Sequence, residues 1–233
     1  NQKFVEIPFD INNFKEIIDS SNIVDLTKKL DDFITKKNNN GLQAINFYIV
    51  NNNSARNFCI SYGKKLKYEW TYVLDGNSFI DINLAKEIIN NNYKTNYLII
   101  KQKRLDEKNY SNEDFLKNIN IINDLHDREP QIAFNIKSKA IFNEKIPYGM
   151  SPKAELLAAL NVPHENNDWD RWRRTICKKL NIPIRTVNEP FQFMSRIVRL
   201  TSFSKKNNIL SNGLLRKHGM YLYLKDIKEK YDL

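Results

Sequence analysis

Asp75-Gly76-Asn77 closes the apolar run Trp70-Thr71-Tyr72-Val73-Leu74. A carboxylate at the C-terminal end of a strand points into the crevice where open α/β sheets bind ligands. Glycine at 76 is expected to let the chain turn sharply there. The same aspartate would also serve as an ordinary turn residue. Upstream stand Asn53-Ser54-Ala55-Arg56-Asn57. The planar fork of Arg56 suits an oxyanion held bidentately, or a salt bridge to a nearby carboxylate such as Asp75. Asn53 and Ser54 open a helix, where free N–H groups favour anions or take a simple N-cap. Further on, Asp127-Arg128-Glu129 leads into Pro130-Gln131-Ile132-Ala133-Phe134. A carboxylate here could take the proton of an attacking hydroxyl as general base. Glu129 precedes a proline and a short strand and is the first candidate, with Asp127 as its competitor. His126 next to Asp127 reads as structural, because adjacency alone does not give convergent geometry. Lys153, in the first turn of a helix, could meet a phosphate or simply face water.

The order and spacing of these segments resemble nucleotide-sugar transferases of the GT-A fold. In the large family-2 glycosyltransferases, a segment like S-x-A-R-N-x-G precedes a hydrophobic strand ending in D-x-D. Here Ser54-Ala55-Arg56-Asn57 precedes Tyr72-Val73-Leu74-Asp75-Gly76-Asn77. The blocks Arg128 to Phe134 and Pro147 to Leu157 are similar to GT-A-like modules carrying D-G-N plus E-P-Q-I-A-F, a likeness covering most of residues 4–160. The resemblance implies transfer of a sugar or related group from a nucleotide-activated donor to a carbohydrate acceptor. It implies that Asp75 and Asn77 hold the diphosphate end, with Mn or Mg between. Arg56, Asn53, Asn57 and Lys153 would line the donor pocket, and Glu129 or Asp127 would be the catalytic base. Asn77 departs from the family's motif, since it offers a hard cation only a neutral carbonyl. Lys3 to Pro8 looks like the second strand of such a domain, so its first strand is expected to be cut away or supplied elsewhere.

The elements that must position these residues follow from pattern. A strand is expected at 3–10, and helices through Phe14, Ile17 and Ile18 (capped by Asn12 or Asn13) and over 23–37. Asn46 to Val50 reads as a strand. Ala55, Cys59 and Tyr62 fall on one helical face, with Gly63 as C-cap. Strands follow at 70–74, 97–100 and 131–134, with helices at 83–90 (Leu84, Ile88 and Ile89 inward) and 115–125. Residues 101–114 are highly charged and read as a surface loop. Strand alternating with helix predicts an α/β, Rossmann-like and GT-A-like fold, a mainly parallel sheet with helices on both faces. After residue 150 the reading is a basic, mainly helical extension: helices at 153–160, from Asp168 or Asp170 through Leu180, and from Phe191. The domains are therefore 1–150, for nucleotide-diphospho-sugar binding, and 151–233.

The chain has 233 residues and a net charge of +10. Residues 151–233 carry 16 Lys/Arg against 8 Asp/Glu, and residues 1–150 carry 21 against 19. Such a basic third could meet nucleic acid, an anionic membrane surface or a phosphate-bearing substrate. Trp169-Asp170-Arg171-Trp172-Arg173-Arg174 could stack bases, although its spacing equally describes an amphipathic helix. Two further readings compete with the transferase: a nucleic-acid-binding protein or nuclease, and an inactive GT-A-like interaction module. Cys59 and Cys177 alone make no disulfide framework, which points to a reducing, cytoplasmic setting. No zinc, P-loop, dinucleotide or serine-hydrolase motif occurs.

Overall fold

The computed structural model describes residues 5, 7, 9–20, 52–76, 78–80, 82–90, 92–106, 126–146, 152–163, 169–201 and 212–231. The expected helices at 23–37 and 115–125, and the strand at 46–50, lie outside the described residues. So do most of 3–10 and the side chain of Asp127.

Two compact units divide the chain: Asn1–Ala55, Pro147–Gly149 and Asn208–Leu233 form one, Arg56–Ile146 and Met150–Asn207 the other. The first holds α1 (Ile11–Ser20) and α6 (Asn212–Tyr231). Phe14 is fully buried, and the Phe9 ring lies 5.4 Å from it and 5.8 Å from Tyr231. Asp10, not Asn12 or Asn13, caps α1. Its Oδ1 accepts from the Asn12 and Asn13 N–H groups at 3.0 and 3.2 Å. An aspartate one residue ahead satisfies two orphan donors and adds charge of the sign the helix start favours.

The second unit is built on a five-stranded sheet, with α2 (Asn52–Lys65) entering it from Arg56 onward. Its strands are β1 (Trp70–Val73), β2 (Ser78–Phe79), β3 (Tyr97–Asp106), β4 (His126–Asn135) and β5 (Phe191–Thr201), in the order β1-β4-β3-β5-β2. The helices are α3 (Ile82–Asn90), α4 (Pro152–Ala159) and α5 (Trp169–Leu180). Tyr97, Ile99, Ile132 and Phe134 face a core shared with Leu156, Leu157 and Leu160 of the α4 segment. Leu98, Ile100, Ala133, Met194 and Ile197 face the opposite core with Leu84 and Ile88 of α3. The alternation along β3 places one core on each side of the sheet.

The expectation of a mainly parallel sheet fails among the described residues. β1–β4, β3–β4 and β2–β5 are antiparallel, and only β3–β5 is parallel. Residues 191–200, expected as helix, belong to the strand Phe191–Thr201, and β3 runs on to Asp106 where a loop was expected. Beyond residue 150 the chain thus adds a strand to this sheet as well as helices. β1 and β2 are opposite edges, yet only residues 74–77 join them, closed by a Ser78 N–H to Asp75 carbonyl bond of 2.9 Å. Four strand spacings in a flat sheet measure about 19 Å, further than a closed turn reaches. The sheet is therefore curled, and its curl brings β5 beside the end of β1.

Gly63 is not a C-cap. α2 continues past it and ends in a Schellman arrangement with Lys67 at φ 60°, where Tyr68 N–H meets the Gly63 carbonyl and Lys67 N–H the Lys64 carbonyl. Asn161 and Asn181 end the segments after α4 and α5 in the same way, at φ 55° and 52°. Cys59 is exposed, while Asn53, Asn57 and Ile60 are buried, so the inward face of α2 is largely polar. Ile89 also points outward.

Candidate functional site

Asp75 sits just past the C-terminal end of β1, and four side chains from four elements converge on its carboxylate. Arg56 of α2 donates to Oδ1 at 3.1 Å. Gln131 of β4, Lys153 of α4 and Arg199 of β5 donate to Oδ2 at 2.9, 3.1 and 2.7 Å. The Lys153 ammonium also donates to Gln131 Oε1 at 2.9 Å, and the Gln131 amide bonds Gln102 of β3. The side chains of Asp75 and Lys153 are 16% and 6% exposed, so this is a shielded network.

Local chain geometry explains the convergence. β2 starts immediately after the Asp75 turn, and its Ser78 pairs with Arg199 of β5. That pairing carries the guanidinium to the carboxylate. On β4 the register against β3 jumps from Gln131 opposite Ile100 to Arg128 opposite Gln102. The extra residue falls at Glu129-Pro130, and a bulge tolerates a proline that cannot donate to the ladder. β5 also carries an extra residue at the same level, where Ile100 and Lys101 pair with Met194 and Arg196. Both neighbours of β3 are thus irregular beside the cluster. α4 is buried over its whole length from Lys153, so each of its charges needs a partner. Lys153 finds Asp75, and Glu155 finds Arg185 at 2.8 and 2.7 Å.

Burial raises the affinity of Asp75 for a proton, but Lys153, the Gln131 amide, Arg199 and Arg56 outweigh it and hold the carboxyl well below the usual range. Glu129 goes the other way. Burial pushes its pKa up, against Lys153, Arg56 and an Ala154 N–H bond. One carboxyl oxygen, Oε1, is sealed from solvent without a hydrogen-bond partner. Burial likewise lowers the pKa of Lys153, opposed by Glu129 and Asp75. Two carboxyls near the same lysine are therefore driven apart: Asp75 is a fixed anion, and Glu129 is a group that holds its proton more tightly.

Of the residues expected from sequence, Asp75, Arg56, Lys153 and Glu129 come together. Asn57 does not join them. Its amide donates to the Phe142 carbonyl at 2.9 Å and to Glu144 at 2.8 Å, and its oxygen accepts the Phe142 N–H at 3.0 Å. It clamps the 142–144 loop, over whose Phe142 ring Arg56 lies at 5.3 Å. Asn53 is buried in the first turn of α2. Asn77 lies outside the described residues. Asp127 is in β4 opposite Lys103. Gln131, Gln102 and Arg199 complete the cluster beyond the residues expected from sequence. Gln131 lies in the Arg128 to Phe134 block, whereas Arg199 falls in a segment whose pattern predicts a helix and so carries no signal of its own.

The residues about Asp75 do not fit the divalent metal that the resemblance implies. At 4 Å and an effective dielectric constant of 20, a dication repels each unit cation by about 8 kcal/mol and gains about the same from one carboxylate. Three protein cations against Asp75 leave that balance unfavourable. Among the described residues no group of three or more His, Cys, Asp or Glu is arranged to hold a metal ion.

One arginine of the basic helix α5, Arg173, is buried, while Arg171, Arg174, Lys178 and Lys179 are exposed. Asp170 pairs with Arg173 and with Arg174, and Arg173 also donates to the Arg185 carbonyl at 2.7 Å. Trp169 packs, partly buried, on the core that contains Phe134 and Leu157. No described helix is long and apolar enough to cross a membrane. Compared with known proteins, the chain matches no family model, no curated protein and no solved structure.

Proposed function

We propose that this chain transfers a sugar or related nucleotide-activated group from a nucleoside diphosphate donor to a carbohydrate acceptor. The observation that carries this reading is the convergence of Arg56, Lys153 and Arg199 on one carboxylate at a strand end. That cluster has a surplus of positive charge in a shielded place, which complements a diphosphate. Glu129 supports the second half of the chemistry. A carboxylate with a raised pKa is a better base at neutral pH than an ordinary one. In a transfer with inversion, Glu129 takes the proton of the acceptor hydroxyl as its oxygen attacks the sugar carbon. The bond to the diphosphate breaks, and its electron pair leaves with the phosphate oxygen. The cluster of cations stabilises the charge that develops there.

The GT-A-like identity of the fold belongs to this reading, supported by the strand that ends at Asp75 and by helices on both faces. A cytoplasmic setting belongs to it as well, supported by free Cys59 and Cys177. Arg173 is buried against Asp170 and the Arg185 carbonyl, which removes one cation of the Trp/Arg segment from the surface that the nucleic-acid reading needs. A thermal-shift screen with UDP, GDP, CDP and ADP tests the proposal, because a ligand of the native state raises its melting temperature. A shift with one nucleotide names the donor base. No shift with any of them transfers the weight to an inactive interaction module.

A further inference from the structure

We infer that Arg56, Lys153 and Arg199 take the place of a divalent cation, so that this site binds a diphosphate without metal and Asp75 is their internal counter-ion. The inference rests on the transferase reading for the nucleoside part of the ligand, but its diphosphate part stands on the cluster alone.

The charges decide it. Three cationic groups meet Asp75 within 3.1 Å, one on Oδ1 and two on Oδ2, and the Gln131 amide shares Oδ2. A carboxylate so occupied has little lone-pair capacity left for a metal, and an added dication would enter a region that is already positive. A diphosphate entering the same region finds the opposite sign. The donors also suit it. Each guanidinium meets Asp75 through a single nitrogen, Nη2 for Arg56 and Nη1 for Arg199. The bidentate fork, which matches phosphate oxygens, is therefore not spent on Asp75. Arg199 is the most accessible of the three, at 26% side-chain exposure against 12% for Arg56 and 6% for Lys153. It is the group that an arriving phosphate meets first. Lys153 and Arg56 lie deeper and fix the far side. In this arrangement Asp75 holds the cations in place while the site is empty and competes with the ligand for them when it fills.

Calorimetric titration of the intact chain with inorganic pyrophosphate, and separately with UDP, GDP, CDP and ADP, tests this, first in EDTA and then with Mn at matched free ligand. The expected result is pyrophosphate binding in EDTA, changed less than about two-fold by Mn. Arg199→Ala should weaken it by about ten-fold, the scale of one lost charge-assisted hydrogen bond. Asp75→Asn should tighten it, because one negative charge leaves the cluster. A metal-binding Asp75 predicts the reverse, loss of binding on that substitution. Binding that appears only with Mn overturns the inference while the transferase reading stands. Pyrophosphate bound in EDTA with no nucleoside diphosphate bound keeps the inference and removes the transferase reading. No binding of any ligand overturns both. The EDTA comparison uses the unmodified chain, so it holds even where a variant fails to fold.

Discussion

Lys153, in the first turn of α4, places its ammonium 3.1 Å from the Asp75 carboxylate beyond β1, 78 residues away in sequence. The two are not equal partners. Removing Lys153 leaves Asp75 with Arg56 and Arg199, whereas removing Asp75 leaves three cations facing one another. An uncompensated charge in a shielded site costs about 3–5 kcal/mol. Asp75→Ala is therefore expected to destabilise the protein by that amount, and Lys153→Met by about 1 kcal/mol. Urea unfolding of the two variants checks the order. Equal losses would mean that the carboxylate does not organise the cluster.

Glu129 gives the site a pH dependence of definite sign. Its folded pKa lies above its ordinary value of 4.5, so the folded state binds this proton more tightly than the unfolded chain. The stability it adds is fully present below 4.5 and is lost as pH rises through the folded value. Asp75 is depressed, so its contribution is complete above the ordinary value of 3.8 and disappears only in strong acid. Between weakly acid and alkaline pH, the melting temperature of the unmodified protein should fall relative to Glu129→Gln. Parallel curves would place Glu129 in an ordinary solvated setting. Transfer activity, which needs the ionised base, should rise over the same interval in which stability falls.

Sequence pattern revealed the site better than the sheet. Asp75, Arg56, Lys153 and Glu129 could be chosen because residue type and a strand end are local properties. β5 could not be recognised, and the cause is its bulge. Met194, Ile197 and Val198 are buried, a spacing of three and four that imitates a helix. One extra residue near Ser195 shifts the inward parity of a strand whose true period is two. Arg199 was lost with it. α2 presents the opposite difficulty, since its buried face consists of Asn53, Asn57, Ile60 and Gly63 and carries almost no apolar signal. The antiparallel pairings were hidden because hydrophobic runs report burial, not direction.

Gly63 and Gly76 exchange the importance that the sequence assigns them. A β-carbon on Gly63 would stand 2.1 Å from Thr71 Oγ1, 3.3 Å from its Cβ and 3.4 Å from its methyl group. Rotating Thr71 can turn its Cβ hydrogen toward the site, but its Cβ stays at 3.3 Å, so α2 and β1 must still shift apart. Gly63→Ala should cost about 1–3 kcal/mol, the usual penalty of overpacking. A β-carbon on Gly76 meets nothing within 4 Å. Gly76→Ala should stay within about 0.5 kcal/mol of the unmodified protein. Thermal unfolding of the pair decides it, and a larger loss at Gly76 would reverse the assignment.

Glu155 supplies the stricter test of how α4 is held. Its side chain is fully buried, and Arg185 grips both oxygens while also donating to the Ile141 carbonyl at 2.7 Å. Arg185 itself is 30% exposed, so it can return to water when the pair is broken, and Glu155 cannot. Arg185→Ala should therefore be the costly change, about 3–5 kcal/mol, because it strands a buried carboxylate. Glu155→Gln keeps the shape and removes the charge that demands the partner, so its cost should be smaller. In the double variant, the loss from Arg185→Ala should shrink once Glu155 is Gln, giving a coupling of at least about 1 kcal/mol. Additive losses across that cycle would mean that the two residues stabilise α4 independently. The positioning of Lys153, in the first turn of the same buried helix, would then need another cause.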